Sequence, residues 1–136
     1  MIRKLISTKY SALSFNIAML ILRIGMGGLM IPHGYDKLVH FTQYKKDFMS
    51  FLGLGGTVSL ALVVFAEFFC AIFLIMGVFT RLFAIPLIIE MFVVVFKAHK
   101  GEVFGDGEHG MLFIAGYIVI LLCGPGKASV DGIMGK

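Results

Sequence analysis

The chain has 136 residues, 59% of them hydrophobic and 15% charged, with a net charge of +4 and a mean hydropathy of +0.96. A water-soluble domain of this size needs far more polar surface, so the composition points to a single small integral membrane domain, residues 1–136. The basic residues are scattered rather than clustered with aromatics, which argues against nucleic acid as a partner and leaves the lipid bilayer, its anionic head groups or topological charge bias to account for the excess.

The N-terminal stretch MIRKLISTKYSALSFNIAMLIL has the basic head of a signal peptide. It lacks a small-residue cleavage site, and Arg23 interrupts its apolar run, so it reads as a retained first helix. A membrane-spanning helix takes about 20 residues. The first such segment runs from Leu13 to Val39. Residues 41–56 follow, with Phe41, Tyr44, Phe48, Phe51 and Leu52 at helical spacing and Gln43, Lys45, Lys46 and Asp47 on the other face. That pattern predicts a helix lying in the membrane interface. A second crossing runs from Val58 to Gly77. A short turn at Val78–Arg81 leads to a third that ends at Ala98. Pro86 lies near the start of this helix, harmless in its first turn and a kink one turn deeper. A fourth, short crossing runs from Glu108 to Cys123 and is stopped by GPG at 124–126. The expected fold is thus an all-α, polytopic four-transmembrane-helix bundle with an interfacial helix between helices 1 and 2.

An even number of crossings leaves both termini on one side. Arg3, Lys4, Lys9, Arg81, Lys127 and Lys136 fall there, against Lys37, Lys45, Lys46, Lys97 and Lys100 opposite. This balance and the basic N-terminal segment favour cytoplasmic termini.

Three ionisable residues fall inside apolar segments: Arg23, Glu67 and Glu90. A charge at the centre of a membrane helix costs about 2.5–3.5 kcal/mol on insertion scales. Facing one another, the three would compensate, and the arginine fork suits two carboxylates. The sequence therefore predicts that Arg23 pairs with Glu67, Glu90 or both. One arginine against two glutamates leaves a surplus negative charge, to be met by a proton or another cation. Such groups also act purely as pins between helices.

A second set collects at the side opposite the termini. His33, His40, His99 and His109 lie there with Asp36, Lys37, Glu102, Asp106 and Glu108. Of these, His33, Lys37, His99, Glu108 and His109 are the expected lining of a pocket mouth. No HxxxH or HExxH spacing supports a metal, so none is assigned. Cys70 and Cys123 lie far apart in apolar runs, which excludes a CxxC redox motif and a haem attachment site.

Arg23, then His33-Gly34 and Lys37-Leu38, resembles the first-helix signature of the DoxX family of membrane proteins. Glu67, with Gly77, Thr80 and Arg81 at the next turn, is similar to the family's middle segment. The ending GPGKASVD resembles its closing signature, carried by Gly124, Pro125, Gly126, Lys127, Ser129 and Asp131. The resemblance implies a four-helix protein of the bacterial inner (plasma) membrane. It also implies a link to quinone-linked respiratory chemistry, in the manner of a thiosulfate:quinone oxidoreductase. The protein would be a small subunit or partner of such an enzyme, docking a soluble or membrane redox partner. The alternatives are a carrier for a small lipophilic or weakly acidic molecule, or an assembly factor. Glu90 lies outside the signature and stands on the charge argument alone. The chain has no flavin, Fe–S or dinucleotide motif, so quinone is the cofactor the resemblance leaves open. The sequence assigns no catalytic residue.

Overall fold

A computed structural model describes residues 2–46, 53–98, 104–105 and 107–135. Among these the secondary structure is entirely helical. A single turn, α1 (Ile2–Leu5), precedes the long α2 (Ala12–Val39). Ser11 starts α2 by accepting a hydrogen bond from the backbone N–H of Ser14 at 3.1 Å, which satisfies one of the donors left open at a helix N-terminus. After His40 comes the single turn α3 (Phe41–Tyr44). The second rod is continuous over Gly56–Met76. It consists of α4 (Gly56–Val64), a π-helical stretch (Phe65–Cys70) and α5 (Ala71–Met76). The third rod is α6 (Thr80–Val93), continued by a π-helical turn at Val94–Ala98. The fourth is α7 (Glu108–Cys123), and the one-turn helix α8 (Val130–Ile133) follows.

Consecutive rods pack against each other, and α7 closes back on α2, giving a four-rod ring. A stripe on α2 faces inward through Met19, Arg23, Gly27, Met30 and Gly34, the spacing of one helix face. Leu60, Cys70, Leu74, Leu87, Val95 and Tyr117 fill the centre and are fully buried. The outward faces are apolar on every rod: Ile21 on α2, Phe69 on the second rod, Ile89 on α6 and Leu122 on α7 are all exposed. A soluble protein does not surround itself with such a surface.

The observed bounds lie within a few residues of the predicted ones. Two rods, Ala12–Val39 and Gly56–Met76, are long and apolar enough to cross a membrane. Glu108–Cys123 is apolar but shorter. Pro86 sits inside α6 rather than in its first turn. The expected interfacial helix appears only as α3, since residues 47–52 of the segment lie outside the described residues.

Candidate functional site

Arg23 is fully buried, but it does not meet Glu67 or Glu90. Its Nη1 donates to the Ile75 carbonyl at 3.0 Å, and its Nη2 donates to the Ala128 carbonyl. The opposite charge acting on it is Asp131. The expected Arg23–glutamate pair is therefore corrected, and the antiparallel register explains why. Gly34 packs against the backbone at Glu67 and Phe68, while Gly27 packs against Ala71 and Ile75. At about 1.5 Å of rise per residue, Arg23 is displaced from the level of Glu67 by about 16 Å. Its side chain also leans toward the helix N-terminus, away from Glu67.

The tail explains what Arg23 does. Asp131 accepts from the Phe79 N–H, the Thr80 N–H and the Thr80 hydroxyl at 2.9, 2.9 and 3.1 Å. Phe79 supplies no capping side chain of its own, so an aspartate distant in sequence caps α6. The Ser129 hydroxyl donates to the Gly126 carbonyl at 2.8 Å and accepts from the Gly132 N–H at 3.0 Å. The Lys127 N–H donates to Asn16 Oδ1 at 3.0 Å. Gly124 lies against the Arg81 guanidinium, and Pro125 precedes the turn at Gly126. Gly77 ends the second rod with φ +74°, and a Cβ there would collide with Ser129 and Arg23. These contacts lock the tail onto the bundle end that also carries the start of α2. The family tail residues are thus brought together with Arg23, in a structural lock.

A different cluster occupies the interior. The Lys37 ammonium donates to Glu67 Oε2 at 2.7 Å. Lys37 was expected at the mouth; instead its side chain leans back toward the helix N-terminus and into the bundle. The approach is close because residue 34 is glycine: a Cβ there would lie 2.7 Å from the Glu67 carbonyl carbon. Glu67 lies in the π-helical stretch, an irregularity frequent at functional sites, and its side chain is only 4% exposed against 24% for Lys37. Glu90 reaches the same place from α6. Glu67 and Lys37 both act on it electrostatically, and among the described residues neither of its oxygens meets a donor. Tyr117 completes the group from α7. It is fully buried and donates to the Met26 carbonyl at 3.3 Å, and both carboxylates act on its hydroxyl. Lys37, Glu67, Glu90 and Tyr117 thus come one from each rod.

Tyr117 was not anticipated. The available signal was a hydroxyl set mid-helix in an apolar run, where it must find a partner. Of the other mouth residues, His33, Glu108 and His109 are exposed, and His99 lies outside the described residues with Glu102 and Asp106. His40 instead pairs with Asp36, Nδ1 to Oδ1 at 3.2 Å, and Tyr44 donates to Asp36 at 2.9 Å. Among the described residues no three of His, Cys, Asp and Glu gather as a metal site would require.

An all-helical ring with apolar outer faces and a few charged side chains buried in an apolar interior is the build of a small integral membrane protein. The DoxX family model matches residues 18–100. The chain belongs to the DoxX family. The matched region contains Arg23, Lys37, Glu67 and Glu90 and stops before the tail lock. No curated protein and no solved structure matches the chain.

Proposed function

We propose that the protein crosses the bacterial inner membrane four times, with both termini cytoplasmic, and serves as a small subunit or partner of a quinone-linked respiratory oxidoreductase. Apolar outer faces on all four rods favour four crossings, with the short α7 spanning a locally thinned bilayer. Family membership supports the redox setting. The observation that carries the site assignment is Glu90: a buried carboxyl that meets no donor among the described residues, beside a Lys37–Glu67 pair, inside the bundle.

The donor set fits a carbonyl ligand. The Lys37 ammonium keeps N–H donors beyond the one given to Glu67, and Glu67 and Glu90 are groups able to hold protons. A bound quinone would supply the acceptor for two electrons delivered by the partner protein. This chain would orient the ring through Lys37, exclude water with its apolar walls, and hold a proton at the two carboxyls. Arg23 and the tail keep the ring of helices closed and take no part in the chemistry.

The test uses native membranes in which the only copy of the protein carries Glu67→Gln, with thiosulfate as donor and decylubiquinone as acceptor. General acid–base groups contribute about 10²–10⁴-fold, so the quinone-dependent rate should drop by about 100-fold while the protein remains folded. An unchanged rate in a folded variant rejects the role.

A further inference from the structure

The interior cluster is not electrically balanced. Lys37 and Glu67 offset each other across 2.7 Å. Glu90 remains, 8% exposed, with both oxygens lacking a donor among the described residues. Among the described residues, the charged groups acting on it are Lys37 from α2 and Glu67 from the second rod, and Tyr117 from α7 is a further titratable neighbour. A carboxylate in an apolar interior next to a second carboxylate is strongly disfavoured. Among the described residues, one unit of positive charge is missing.

We propose that the missing charge is a proton: Glu67 and Glu90 share a single exchangeable proton, carried on Glu90, which balances the Lys37–Glu67–Glu90 cluster. A protonated Glu90 is a hydrogen-bond donor as well as an acceptor. Its O–H then has the Glu67 carboxylate as acceptor, and the orphaned group gains a partner. The proton arrives from hydronium and leaves to water or to a basic atom of a bound ligand, with no change in oxidation state. Lys37 is the most exposed of the charged members, so the exchange route follows its side chain.

This deepens the proposed reading of the same site, but its test needs neither quinone nor partner, so the two fail separately. The full-length protein in zwitterionic lipid vesicles is treated with dicyclohexylcarbodiimide, which attacks protonated carboxyls in apolar surroundings. The adduct is then located by mass spectrometry. In the wild type the adduct should be confined to Glu90 and should drop at least tenfold at alkaline pH. In Glu67→Gln, Lys37 alone balances Glu90, so the Glu90 adduct should fall at least tenfold although Glu90 is intact. In Lys37→Met both carboxyls need protons, and Glu67 should be labelled as well. In Glu90→Gln no adduct should form, because Lys37 balances Glu67; this variant and Lys37→Met decide the matter should Glu67→Gln fail to fold. An unlabelled Glu90 in the wild type, equal Glu90 labelling in Glu67→Gln, or a Glu67 adduct in Glu90→Gln overturns the proposal. Suppression by sodium or potassium but not by choline also overturns it, because a metal cation would then fill the vacancy.

Discussion

Two regions of the bundle treat buried charge in different ways. At the terminal end, Arg23 and Asp131 are surrounded by backbone groups: Arg23 donates to carbonyls of Ile75 and Ala128, and Asp131 accepts from the first N–H groups of α6. Charge there is spent on chain ends that a helix leaves unsatisfied. In the interior, Lys37 and Glu67 pair directly, Glu90 and Tyr117 lie within their electrostatic reach from the other two rods, and among the described residues Glu90 meets no donor. The first arrangement locks a fold. Each keeps one buried group that meets no partner among the described residues, Arg23 Nε in the first and the Glu90 carboxyl in the second, but only the second sets two carboxyls against one ammonium.

The contrast is sharpest in the stability of variants. Removing one partner of a buried charge network costs about 3–5 kcal/mol. Asp131→Ala deprives α6 of its cap and Arg23 of its opposite charge, and should lower the melting temperature strongly in detergent. Glu67→Gln should change it far less while altering proton binding. Equal losses in both would erase the distinction. Gly77→Ala comes next: φ +74° and the collision with Ser129 and Arg23 should cost about 1–3 kcal/mol, read by the same melt. A comparable substitution at Gly28, where a Cβ meets nothing within 4 Å, should be nearly silent.

Orientation separates the two ends without touching stability. His40 is exposed just beyond α2 and Cys123 is exposed at the opposite, terminal end. With cytoplasmic termini, a membrane-impermeant maleimide added to spheroplasts should label His40→Cys, and Cys123 only after lysis. The reverse pattern inverts the proposed topology. The smallest effect concerns Tyr44, an exposed residue whose hydrogen bond to Asp36 raises its ionisation above the ordinary tyrosine range. Any stabilisation is present below the unfolded pKa and is lost as pH rises through the folded one. Asp36→Asn should let Tyr44 ionise earlier, seen as tyrosinate absorbance at lower pH, with no measurable change in melting at neutral pH.

Much of the architecture was readable from the sequence because hydropathy and turn residues report helix bounds directly. Glu108–Cys123 is bounded as expected, and the GPG stop is where the chain leaves α7. The pairing of charges was not readable. Arg23 and Glu67 each look central in their own apolar windows, but α2 is 28 residues long and packs antiparallel with a register that windows do not encode. Lys37 looked like a mouth residue because position alone ignores the direction in which helical side chains lean. Asp131 gave no hint of capping α6, since the cap is remote in sequence.

The most direct measurement of the central claim is the quinone content of the protein purified gently from its native membrane, by extraction and mass spectrometry. The account expects a quinone near one per chain in the wild type and in a folded tail variant such as Lys127→Ala, and little in folded Lys37→Met, which lacks the ammonium that would hold the ring. A wild-type protein that carries none, or a Lys37→Met variant that retains its full complement, would contradict it.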